Sequence, residues 1–244
     1  MKIKLFFTFY IIASMILAIS ISAQDTGNES TTREESIEEL FLRNPALHIV
    51  KEEATSYDRD IKLLAITTIE EMLKDGVNAQ DEVQIAIILG HLAAEGTTTI
   101  IRENGRIINY FPEVRGQACR VLQFVQSSEA REKAVNILIA VLQKDVDPIV
   151  KSNAVYTLGI LGINDENRVV KAISISFNSQ DLIAPNNNFA FAVALAFEKI
   201  AKTNSGIFTP EAFSTLVKII QGNYNKPVRD KAYEVLQALQ QYRQ

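Results

Sequence analysis

Apolar residues return every three or four positions along most of this chain, in blocks of about 12 to 16 residues parted by short polar turns, as in amphipathic helices. Ile61, Leu64, Ala65, Ile69, Met72 and Leu73 predict a helix over 58–73 with those side chains inward, and Gly76 closes it. Val83, Ala86, Ile87, Gly90 and Ala94 predict a second over 81–94. Further helices are predicted over 128–142, 148–161, 165–177, 189–201, 209–221 and 227–239. Residues 97–111 carry threonines and isoleucines with strand propensity, but the surrounding period predicts a helix there, with Ile100, Ile107 and Ile108 facing in. Ahead of residue 58, Ile37, Leu40 and Phe41 predict an irregular first helix that Pro45 interrupts.

The blocks repeat. Pro112, Arg115, Ala118 and Leu122 are followed 36 residues later by Pro148, Lys151, Ala154 and Leu158. Pro227, Arg229, Ala232 and Leu236 form a third copy near the end. A decayed copy lies between, with Val193 in place of the alanine, so the anchors Ala118, Ala154, Val193 and Ala232 are 36, 39 and 39 residues apart. One helix pair cannot bury its apolar stripe alone, whereas stacked pairs share a continuous core. Proline costs nothing at the first turn of a helix, where its missing N–H has no partner to lose. A small anchor residue lets neighbouring helices approach closely. The basic residue before each anchor can reach an acidic residue of the next repeat and help fix the register.

This signature resembles that of HEAT-like repeats, whose second helices start near Pro or Asp and continue through Val-Arg to Ala and Leu. The resemblance covers roughly residues 55–241, best over 97–126, 128–162 and 209–241. Residues 58–73 and 189–201 resemble the family only in their hydrophobic pattern. The resemblance implies an all-α protein, an α-solenoid of about five to six antiparallel helix pairs over 36–244. Some repeats of this kind occur in phycobilin lyases, but most serve as interaction scaffolds.

Composition changes the picture at the N-terminus. Lys2 and Lys4 precede an uncharged apolar run over 5–21, then Ser22 and Ala23. This is the layout of a bacterial export signal over 1–23, with an uncleaved inner-membrane anchor as the alternative. Residues 24–35 read as a flexible polar leader. Removing 1–23 takes two lysines and no acid, moving the formal charge from −4 to −6. That balance speaks against nucleic acid as a partner. No integral membrane domain is expected unless the anchor is retained.

Candidate chemistry is sparse. Cys119 is the single cysteine, so no intrachain disulfide or thiolate cluster forms. His48 and His91 are far apart and lack the paired ligands of a zinc site. No glycine-rich phosphate loop is present. No cofactor, metal or catalytic residue is therefore expected. The decayed repeat is the candidate binding region: Phe189 and Phe191 cannot both face the stripe shared by Val193 and Phe197, so one is available as an anchor. Asn187 in the asparagine-rich turn and Tyr224 stand with them. The expected function is a non-enzymatic periplasmic scaffold that binds another protein or an envelope component. The alternatives are an assembly subunit of an envelope complex and a lyase-type enzyme.

Overall fold

The computed structural model describes residues 44–242. The export signal expected at 1–23, the leader expected at 24–35 and the helix expected from Ile37, Leu40 and Phe41 lie outside the described residues.

Ten α-helices carry most of the described chain: α1 (Pro45–Thr55), α2 (Arg59–Asp75), α3 (Ala79–Ala93), α4 (Pro112–Val121), α5 (Ser128–Lys144), α6 (Pro148–Leu161), α7 (Arg168–Ile183), α8 (Asn187–Thr203), α9 (Pro210–Gln221) and α10 (Lys226–Gln241). Among the described residues the fold is all-α apart from one short hairpin. Helix starts follow local chemistry. Asp58 and Asp147 accept free N–H groups of α2 and α6 through their carboxylates, Asn78 and Asn186 each accept one from α3 and α8 through the amide oxygen, and Pro112, Pro148 and Pro210 take first-turn positions. Thr209 precedes Pro210 but its side chain makes no capping bond. Pro45 opens α1, with Asn44 accepting from the Leu47 N–H, rather than interrupting a helix. Gly162 ends α6 in the left-handed conformation, φ 69°.

The helices form two layers. Each odd-numbered helix packs on the next odd one from α1 to α9, and each even-numbered helix on the next even one from α2 to α10. Consecutive helices join the layers. The anchors Ala65, Ala118, Ala154, Val193 and Ala232 lie in the even layer and are wholly buried. Close approach is greatest between α6 and α8: a side chain at Gly159 would place its Cβ 2.7 Å from the Cα of Ala196.

Hydrogen bonds trace the two edges. The connections from odd to even helices are linked in series. The Lys62 ammonium donates to the Ala54 carbonyl and to Glu95, Arg115 to the Glu95 carbonyl and to Asp145, and Lys151 to Gln180. On the opposite edge the Glu82 carboxylate accepts from the N–H groups of Gln126 and Ser127 at the start of α5. There also Arg131 donates to the Leu161 carbonyl and Asn204 to that of Gly162.

The structure corrects the helix expected over 97–111. Those residues turn after α3 and form a two-stranded antiparallel hairpin, β1 (Arg102–Glu103) and β2 (Arg106–Ile107). Asn104 and Gly105 between them have φ of 49° and 80°. Asn-Gly is the pair that tolerates two positive φ values in a tight hairpin turn, which a helix cannot use. Ile100, Ile107 and Ile108 are accordingly exposed, not inward. Ile61 and Leu64 on α2 are also exposed, because α2 packs with Ala65, Ile66, Ile69 and Leu73. Helix α7 runs two turns beyond the predicted end at 177, and a 3-10 turn over Asp165–Asn167 precedes it.

Candidate functional site

The four residues singled out as candidate binders divide sharply. Phe189 is 1% exposed, between α8 and the elements before and after it. Its ring centroid lies 6.5 Å from that of Phe177, which lies 6.1 Å from that of Tyr224. The Tyr224 hydroxyl donates to Asp181, and the Asn187 side-chain oxygen accepts from the Asn225 N–H at 2.8 Å. Burial, reinforced by that carboxylate, pushes the Tyr224 phenol far above its ordinary range. Three of the four thus come together as a seam joining α7, α8 and the connection that leads into α10. Phe189 and Tyr224 are not available as surface anchors, because aromatic packing in this seam consumes them. Phe191 is the exception, at 37% exposure.

Phe191 stands two residues before its buried anchor, Val193. On α6, Tyr156 stands two residues after its anchor, Ala154, and is likewise 37% exposed. At 100° per residue both side chains point about 160° from the buried direction, so both look out from the even layer. Ser152 and Leu195 occupy the matching positions on the two helices and are half-buried. The Lys199 ammonium lies 5.7 Å from the centroid of the Tyr156 ring, a cation–π distance across α6 and α8. Further along α8, Glu198 accepts from Lys202 and Lys231, each at 2.8 Å, which holds its carboxyl below the usual range. The result is one exposed aromatic side chain on each of two closely packed helices, with Lys199 beside Tyr156.

The basic residues of the repeat take different positions. Arg115 is fully buried, and its guanidinium grips Asp145 with two bonds, of 2.6 and 3.2 Å. Its face lies 4.6 Å from the Tyr110 ring centroid. Burial opposes its charge, but Asp145 outweighs burial and the pKa rises. Lys151 is buried too, yet its partner is the Gln180 amide oxygen at 3.3 Å, and burial pulls its pKa below the ordinary lysine value. Arg229 is exposed and forms no ion pair among the described residues. The pattern missed one member. Lys62 pairs with Glu95 at 2.8 Å, both buried, three residues before the anchor Ala65. Asp58, Lys62 and Ala65 have the same spacing as Asp147, Lys151 and Ala154, so this copy was legible in the sequence without a proline.

Other candidates stay apart from any reactive cluster. Cys119 is buried within α4, and burial pushes its thiol far up, so it is inert. Among the described residues no group of three His, Cys, Asp or Glu side chains could hold a metal ion. His91 is exposed at the end of α3 and His48 is half-buried in α1. An open polar groove of 740 Å³ lies between the start of α5 and the ends of α6 and α8, lined by Arg131, Glu132, Asn164 and Asn204. Its cations are already committed: Arg131 to the Leu161 carbonyl and Arg168, beside it, to Glu132 and Asn136. Among the described residues no helix is long and apolar enough to cross a membrane. Comparison of the chain with family models, with curated proteins and with solved structures found no match.

Proposed function

We propose that this protein is a non-enzymatic extracytoplasmic scaffold, a HEAT-like α-solenoid of stacked helix pairs that binds another protein on the outward face of its even helices. The observation that carries the reading is the pair Tyr156 and Phe191. Two aromatic side chains remain exposed on adjoining helices, Tyr156 on α6 and Phe191 on α8. Aromatic anchors on a rigid, closely packed base are what most protein interfaces use for affinity, since they bring large contact area at low entropic cost. Lys199, beside Tyr156, supplies a charge that steers and orients a partner. The buried basic ladder and the seam at Phe189 serve this surface by holding successive helices in register.

The test is site-directed photo-crosslinking in the native host. A crosslinking amino acid at Tyr156 or Phe191 captures one defined protein, while the same probe at Lys171 or Ser179, exposed on α7, does not. Tyr156→Ser with Phe191→Ser abolishes capture and leaves the melting temperature within a few degrees, as expected for exposed positions. Equal capture from α7, or capture that survives the double substitution, sinks the reading.

A further inference from the structure

Two close contacts fix which side of an even helix meets which neighbour. A Cβ on Gly159, five residues after the anchor Ala154, would stand 2.7 Å from the Cα of Ala196, three residues after the anchor Val193. One on Gly116, two residues before Ala118, would stand 2.9 Å from the side chain of Asn153, one residue before Ala154. At 100° per residue, the side toward the next even helix therefore carries the positions three before and one after the anchor. The side toward the previous even helix carries those four before and one before it.

Burial follows this assignment until the row of even helices runs out. One residue after the anchor, Ile66, Cys119, Val155 and Ala194 are buried on α2, α4, α6 and α8, yet Tyr233 on α10 is 53% exposed. Three residues before it, Lys62, Arg115, Lys151 and Ala190 are buried, yet Arg229 is exposed. The opposite case is at α2. Four residues before the anchor, Val114, Val150, Phe189 and Val228 are buried, yet Ile61 is 40% exposed, with Leu64 beside it at 55%. Among the described residues no even helix precedes α2 and none follows α10. The forward side of α10 and the rear side of α2 are thus the two halves of an interface that occurs four times within the chain, and both keep large side chains of that interface exposed.

The polar contacts of that interface point to the same pairing. Lys62, Arg115 and Lys151 each reach a side chain near the end of the next odd helix: Glu95 after α3, Asp145 after α5 and Gln180 in the last turn of α7. Among the described residues Arg229 has no further odd helix to reach. Glu52 and Glu53, in the last turn of α1, hold the place that Gln180 has in α7, and their carboxylates form no ion pair among the described residues. The two ends also carry opposite charge. Residues 45–75 hold four basic and seven acidic side chains, whereas residues 210–241 hold four basic and three acidic. A stack of helix pairs closes on itself with polar outer faces. Here both outer faces are apolar and their charges are opposite, so each fits the other.

We propose that copies of this chain join end to end, with α10 of one copy packed on α2 of the next as successive even helices pack within the chain. Tyr233 then covers Ile61 and Leu64 of the neighbouring copy, and Arg229 pairs with its Glu52 or Glu53. The two surfaces differ, so the contact is head-to-tail and either extends into a chain of copies or closes into a ring. The proposal does not rest on the protein-binding face at Tyr156 and Phe191.

Cys119 is buried and inert, so an introduced cysteine is the one reactive thiol. The test is crosslinking between two differently tagged full-length chains produced together, one carrying Leu64→Cys and the other Tyr233→Cys. The reagent is a bis-maleimide that spans about 10 Å, the separation of packed helices. The mixed pair is expected to crosslink, and neither variant to crosslink to itself. Arg229→Glu in the Tyr233→Cys chain lowers the yield about tenfold, and Glu52→Lys with Glu53→Lys in the Leu64→Cys chain restores it. Ser179→Cys, exposed on α7, gives no product in place of Tyr233→Cys. Product between like variants, equal product from Ser179→Cys, a yield that Arg229→Glu leaves unchanged, or no product between copies overturns the proposal. Capture of a different protein by both cysteines assigns these faces to another partner and overturns it as well.

Discussion

Arg115 shows what a single position in the repeat does. Its guanidinium is out of water and has one carboxylate, one carbonyl and one aromatic face to satisfy it. A buried pair adds little net stability over an apolar replacement, but breaking it strands a charge. Asp145→Ala is therefore expected to destabilise the protein by about 3–5 kcal/mol, with Asp145→Ala/Arg115→Met recovering much of that loss, measured by urea unfolding. Lys151 occupies the same repeat position with an amide in place of the acid, and the pH dependence follows from that difference. Its native pKa is lowered by burial, so between that value and the ordinary 10.5 the unfolded chain binds more protons than the folded one. Stability contributed at this site rises with pH through that window and is lowest where both states are charged. Lys151→Met removes this slope, read as urea midpoints collected from neutral pH to pH 10.5. The basic position was visible in the sequence at both places. That one finds an acid and the other an amide was not, because Asp145 and Gln180 are 30 and 29 residues downstream.

The hairpin marks the limit of reading elements from periodicity. Its signal was present: Asn104-Gly105 is a strong two-residue turn pair. The repeat period overrode it, because an insertion between α3 and α4 falls where another helix is due; the anchors Ala65 and Ala118 are 53 residues apart against 36 for the next pair. The hairpin is held at its base by Asn109. That buried side chain accepts from the Ile101 N–H at 2.9 Å and donates to the Thr99 carbonyl at 2.7 Å and to Glu95 at 2.9 Å. Gly96 makes the approach possible, with φ of 67° and a Cβ position only 2.4 Å from the Asn109 carbonyl oxygen. Gly96→Ala is expected to cost more than about 2 kcal/mol, since strained backbone and overpacking combine. Gly105→Ala, at φ 80° with open space around it, costs about 1–2 kcal/mol from the left-handed backbone alone. Thermal unfolding of the two variants separates the contributions. A loss no larger at Gly96 than at Gly105 contradicts this account of the hairpin base.

At the scale of the molecule, each helix packs mainly on its nearest neighbours in two layers, so stability is a sum of local interfaces. Amide hydrogen exchange is expected to be slowest in α6 and α8, whose contact is closest, and faster in α1, α2 and α10, which have neighbours on fewer sides. Uniform protection from α2 to α10 would instead mean one indivisible cooperative unit. The sequence by itself determined the helical class, the repeating anchor and most helix starts, because these depend on side chains within a turn or two of one another. Phe189, Phe191 and Tyr224 were equally plausible surface anchors on that basis. Only the packing of α7, α8 and the connection leading into α10 closed Phe189 and Tyr224 into a seam and left Phe191 outside. The tertiary structure likewise decided that Arg115 is buried against Asp145. These outcomes depend on residues far apart in the chain, whose meeting is set by how layers stack and not by local pattern.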